Sequence, residues 1–65
     1  MTGITLLRLP AVKERTGKSR STIYAEIKDG RFPSQIQIGP RSVGWLESEI
    51  DEWIQDRINK SRSES

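Results

Sequence analysis

Two residues, Gly17 and Lys18, separate two short amphipathic segments near the start of the chain. A link this short cannot let two helices lie side by side; it forces them to cross steeply, as in a helix-turn-helix. In the first segment, Leu9 to Thr16, residues Leu9, Val12 and Thr16 share one helical face. Pro10 suits a first-turn position, where its missing N–H costs nothing. Gly17 suits the left-handed residue that ends a helix. The second segment, Ser19 to Asp29, opens on a residue whose hydroxyl can accept the N–H of Ser21 or Thr22. Ile23 and Ile27 lie one turn apart and form its buried stripe, Tyr24 flanks that stripe, and Gly30 stops the helix. Neither helix is long enough to persist alone, so both must be held by packing.

The rest of the chain supplies that packing. Gln35-Ile36-Gln37-Ile38 alternates polar and apolar, Gly39-Pro40-Arg41-Ser42 is a turn cluster, and Val43-Gly44-Trp45 alternates again. This pattern predicts a hairpin with Val43 and Trp45 on one face, too small to stand without a helix behind it. Leu46, Ile50, Trp53, Ile54 and Ile58 then recur at helical spacing. Acids crowd the first turns and Arg57 and Lys60 stand near the end, as the helix dipole favours. The helix is expected to start at Leu46 or Glu47, with a capping box at Ser48 and Asp51 as the alternative start, and to end near Lys60. Trp53 and Ile50 are its expected anchors. The fold class is therefore mostly α with a small β-hairpin, in the order α-α-β-β-α. Residues 1–60 form one domain, and residues 61–65, polar and without an apolar anchor, form a disordered tail.

Composition narrows the function. A chain of 65 residues makes one domain with a thin core, worth about 3–5 kcal/mol of net stability. It has no cysteine and no histidine. Disulfides and zinc-thiolate or iron–sulfur sites are thereby excluded, and the usual general base is missing. No enzyme, cofactor or metal is expected; the acids Glu47, Glu49, Asp51 and Glu52 are read as dipole partners. No apolar run approaches a membrane span, and Met1–Leu9 is too short for a signal peptide. A soluble cytoplasmic module is expected, with no membrane partner. Residues 1–45 hold eight basic and three acidic side chains, a balance of +5; residues 46–65 hold three and six, a balance of −3. One part of the surface is thus suited to a polyanion and another is not.

The run Gly17-Lys18-Ser19-Arg20-Ser21-Thr22-Ile23-Tyr24 places two cations, three hydroxyls and a tyrosine at the start of the second helix, with only Ile23 clearly committed to the core. In a helix-turn-helix this turn enters the major groove, where such side chains bond base edges and phosphates. Lys18, Arg20, Arg41 and Arg31 are the candidate phosphate contacts. Trp45 and Trp53 are read as packing rather than as a platform for bases, and Gly39–Ser42 as a hairpin tip rather than a phosphate cradle.

On these residues the chain also resembles a known family. Leu7-Arg-Leu-Pro-Ala-Val, Gly17-Lys-Ser-Arg-Ser-Thr-Ile-Tyr, Ile27-Lys-Asp-Gly-Arg-Phe-Pro33 and Arg41-Ser-Val-Gly-Trp-Leu-Glu-Ser-Glu-Ile resemble the AlpA family of prophage regulators over about residues 6–58. The last run is specific to that family; Ser-Arg-Ser-Thr-Ile-Tyr is shared with excisionase-like and MerR-like domains. The resemblance implies a MerR-like winged helix-turn-helix that binds double-stranded DNA. Its recognition helix would run Ser19–Lys28, carrying Lys18, Ser19, Arg20, Ser21, Thr22, Tyr24 and Lys28 to the DNA. Its wing would carry Arg31, Pro40, Arg41 and Ser42. Pro40 departs from relatives that often have a second glycine or a basic residue there, and it stiffens the tip. Members of the family activate transcription of a mobile element's integrase or serve as excision factors. RNA polymerase or an integrase is then the expected protein partner. The dimerisation helix and effector domain of MerR regulators are lacking, so no small-molecule effector is expected. The alternatives are an excisionase that bends attachment-site DNA and a protein-interaction module that uses the acidic third helix without binding DNA. With no heptad run, the chain is expected to be a monomer in solution that binds repeated half-sites cooperatively, the acidic helix of one copy meeting the basic surface of the next.

Overall fold

The computed structural model describes residues 3–63. The chain runs β1 (Leu6–Leu7), α1 (Leu9–Thr16), α2 (Arg20–Lys28), β2 (Ile36–Gly39), β3 (Ser42–Leu46) and α3 (Glu47–Ser63). The three strands form one antiparallel sheet in the order β1-β3-β2. Two helices joined by a tight turn, a hairpin and a closing helix make a winged helix-turn-helix.

Both short helices end as their glycines require. Gly17 has φ 70°, and its N–H bonds the Lys13 carbonyl at 2.8 Å. Past α2, Gly30 has φ 76°. Its N–H meets the Ile27 carbonyl at 3.0 Å while that of Arg31 reaches back to Glu26 at 2.8 Å. That pair of bonds is a Schellman motif, and it satisfies carbonyls that a helix end otherwise leaves bare. At the other end of α2 the Ser19 hydroxyl accepts the N–H of Thr22 at 3.3 Å.

Among the described residues six side chains are buried, and all but one element contributes: Leu7 from β1, Val12 from α1, Ile23 from α2, Phe32 from the following loop, Trp45 from β3 and Ile50 from α3. Each contributes on the order of 1.5–3 kcal/mol by leaving water. Trp45 is the largest fully buried side chain, and its indole N–H donates to the Pro33 carbonyl at 3.0 Å. Trp53, expected as an anchor of α3, is only half-buried. It packs edge-on against Phe32, with ring centroids 5.0 Å apart, and donates to the Arg31 carbonyl at 2.9 Å.

β2 is the element that adds nothing to the core. Its residue Ile36 pairs with Gly44, so it faces the same side of the sheet as Gly44 and opposite to Trp45. Ile36 and Ile38 are accordingly 37% and 39% exposed. The alternation foretold a strand correctly but left open which face it would show. β1 carries too few residues for any periodic signal and was not foreseen. It forms because β3 offers it an edge, with Leu7 opposite Trp45 and Leu6 opposite Leu46. No loop separates β3 from α3: Leu46 ends the strand and Glu47 opens the helix, its N–H bonded to the Thr5 carbonyl at 2.9 Å. The start therefore falls at Glu47, not at the Ser48 capping box.

The tail expected over residues 61–65 is corrected in part. Residues 61–63 complete α3, since each further residue adds a backbone bond to a helix already nucleated. Residues 64 and 65 lie outside the described residues. Among the described residues no helix is long and apolar enough to cross a membrane.

Candidate nucleic-acid interface

The first turn of α2 presents Ser19, Arg20, Ser21 and Thr22 to solvent. Their roles already differ in the free protein. Ser19 is the helix cap, and its hydroxyl lies 3.0 Å from that of Thr22 and 3.4 Å from that of Ser21. These three form one hydroxyl cluster at the positive end of the helix dipole. Arg20 has no acidic partner among the described residues. Its guanidinium carbon sits 5.5 Å from the centroid of the Tyr24 ring, which in turn meets Trp45 edge-on at 6.2 Å. A cation held over an aromatic face keeps a defined direction while leaving its N–H groups free for another acceptor. Lys28, in the last turn, is exposed and makes no ion pair among the described residues.

Two of the expected phosphate contacts are engaged elsewhere. Lys18 pairs with Glu26 at 3.0 Å, is only 24% exposed, and lies 5.4 Å from the centroid of Trp53. It ties the turn between α1 and α2 to α2 itself and to α3. Arg31 pairs with Asp29 at 3.2 Å. That pair is exposed, so a phosphate can compete for it at little cost.

The wing tip is a tight γ-turn. The Arg41 N–H bonds the Gly39 carbonyl at 3.0 Å around Pro40, and the Gln37 amide donates to the same carbonyl at 2.8 Å. Arg41 follows with φ 122°, the one positive φ at a residue other than glycine among those described. Its side chain is exposed and has no acidic partner among the described residues, Pro40 beside it is exposed, and Ser42 is half-buried. No hydrogen bond or ion pair joins these wing residues to those of α2 among the described residues, so the two form separate groups.

Unpaired cations that the sequence did not single out stand on and before α1. Arg8 and Lys13 are exposed and have no acidic partner among the described residues, whereas Arg15 is bound to Glu47 at 3.0 Å and to Asp51 at 3.3 Å. Which of these cations would meet an acid depends on how α1 packs against α3, and no short-range pattern carries that. The Arg15 pairs also show that the acids at the head of α3 hold α1 in place. Among the described residues no group of acids is arranged to hold a metal ion.

A helix-turn-helix with a hairpin wing, exposing hydroxyls and a free arginine on the first turn of its second helix, is built like a transcription regulator of the winged class. The chain matches the family model described as prophage CP4-57 regulatory protein (AlpA) over residues 5–58. It is 45% identical over 60 residues to the DNA-binding transcriptional activator AlpA of Escherichia coli K12, covering 83% of this chain and 86% of that one. It is 48% identical over 52 residues to the uncharacterized protein ORF88 of enterobacteria phage P4, covering 80% of this chain and 59% of that one. The chain belongs to the AlpA family of prophage regulatory proteins.

Proposed function

We propose that this chain is a sequence-specific double-stranded DNA-binding regulator of a prophage or integrated element, acting in the bacterial cytoplasm at the nucleoid. α2 reads the major groove through Arg20, Ser21, Thr22 and Tyr24. Arg41 at the wing tip, with Pro40 and Ser42 shaping it, holds the sugar-phosphate backbone, together with Arg8, Lys13, Lys28 and Arg31. Lys18 and Ser19 act from beneath by fixing the turn and the cap. The observation that carries this reading is the first turn of α2, where an arginine without an acidic partner is aimed by Tyr24 beside three clustered hydroxyls. The similarity to the E. coli relative, a DNA-binding transcriptional activator, supports it. No cofactor or effector enters the scheme. RNA polymerase is the partner if the site lies in a promoter, and an integrase if it lies in an attachment site.

Footprinting on the DNA of the element that carries the gene tests the reading. Protection within a promoter is the expected result. Protection of an attachment site, with bending of the duplex, would instead make the protein an excision factor. Absence of any retardation at low salt would leave a protein-interaction module.

A further inference from the structure

The sheet order leaves β2 on an edge, with β3 along one side and no strand along the other. Sheet edges are normally guarded by lysines, by a proline within the strand, or by charges pointing inward. Here Phe32-Pro-Ser-Gln-Ile-Gln-Ile-Gly-Pro40 contains no charged residue, in a chain that is 31% charged. Pro33 and Pro40 bracket the strand without interrupting it. The face it shows is apolar as well. Ile36 and Ile38 are exposed beside Gly44; Ile38 would lie 3.4 Å from a Cβ placed on that glycine, and Leu6, also exposed, 3.7 Å from it on the β1 side.

We propose that this edge is an interface for a second copy of the chain, β2 pairing antiparallel with β2 across a two-fold axis so that the sheet continues from one molecule into the next. The charge pattern selects that occupant. An uncharged alternating strand meets its own copy with no like charges opposed, and antiparallel pairing is the arrangement in which both copies use the same residues. Ile36 and Ile38 of the two copies then cover one another on the outer face. Part of the acidic face of α3 is already engaged within the chain, Glu47 and Asp51 with Arg15 and Asp56 with Lys60. The contact is small. A strand of four residues is about 13 Å long, and it buries far less than the roughly 1,200 Å² of a stable interface. The free protein is therefore monomeric at ordinary concentrations, and the pairing acts when two copies are held on one duplex, where the local concentration reaches the millimolar range. That last step rests on the DNA-binding reading above; the pairing itself does not.

A dilution series of the free chain, followed by backbone amide NMR, tests the pairing directly. The amides of residues 35–39 are expected to shift as concentration rises into the millimolar range. The paired variants Ile36→Lys/Ile38→Lys and Ile36→Glu/Ile38→Glu are each expected to lose that shift, and their equimolar mixture to regain it. Amides of β2 that ignore concentration, or an association mapped to α3, would overturn the proposal. On DNA, a duplex with two adjacent sites is expected to take the second copy roughly tenfold more tightly than a one-site duplex, an advantage absent from either variant alone. Tight one-site binding without that advantage counts against the pairing. Failure to bind any duplex counts against the DNA reading and leaves the pairing to be decided by the dilution series.

Discussion

Arg20 and Arg41 are both exposed and, among the described residues, without an acidic partner, yet their settings differ. Arg20 is aimed by a stack that ends in the core: its guanidinium lies over Tyr24, and Tyr24 rests edge-on against the fully buried Trp45. Arg20→Ala is expected to cost about 1–3 kcal/mol on the specific site and to relax preference at particular base pairs, as competition against random duplexes would show. Arg41 stands at φ 122°, a conformation that costs any residue with a Cβ on the order of 1–3 kcal/mol. Arg41→Gly is therefore expected to raise the melting temperature while weakening binding to all sequences alike, lowering the salt slope by about one. A variant that melts lower and binds less would show that the side chain, and not the strain, decides stability at that position.

At the scale of elements, the junctions matter more than the lengths. Gly44 lies where β1 crosses closest to β3: a Cβ there would stand 3.1 Å from the Leu7 carbonyl oxygen, which is backbone and cannot swing away. Gly44→Ala is expected to cost about 1–3 kcal/mol, read as a lower denaturant midpoint. The two tryptophans are not equivalent. Trp45→Ala removes the centre of the core and is expected to cost about 3–5 kcal/mol, as much as the whole domain holds. Trp53→Ala is expected to cost less, about 2 kcal/mol, because that ring is only partly buried. Thermal melts of the pair order the two. The spacing of Leu46, Ile50, Trp53, Ile54 and Ile58 revealed α3 but not how deep each side chain sits. Ile50 is fully buried, Ile58 is 37% exposed, and Leu46 belongs to β3. Glycines, a capping serine and helical periodicity are local signals, and they made α1, α2 and α3 legible. β1, the outward face of β2 and the pairing of Arg15 with Glu47 are set by contacts between distant segments. Their residues were readable, but their roles became visible only with the packing.

For the molecule as a whole, charge is divided into cations spent on the fold and cations left over. Among the described residues Arg15, Lys18, Arg31 and Lys60 are paired with acids, and Arg8, Lys13, Arg20, Lys28 and Arg41 are not. If about four phosphates are neutralised per copy, the logarithm of the binding constant falls against that of salt with a slope of about −3.6. Anisotropy titrations between low and physiological salt measure it, and a slope near zero would remove DNA from the list of partners. The strand formed by Leu6 and Leu7 has a different kind of consequence. Its partners Trp45 and Leu46, and the Glu47 N–H that Thr5 accepts, lie some forty positions later in the chain. During synthesis α1 and α2 are made before the segment that closes over them. Until Trp45 has been made and packed, Tyr24 has nothing to rest against and Arg20 no fixed direction. On the proposed reading, an incomplete copy therefore has no ordered arginine to offer DNA.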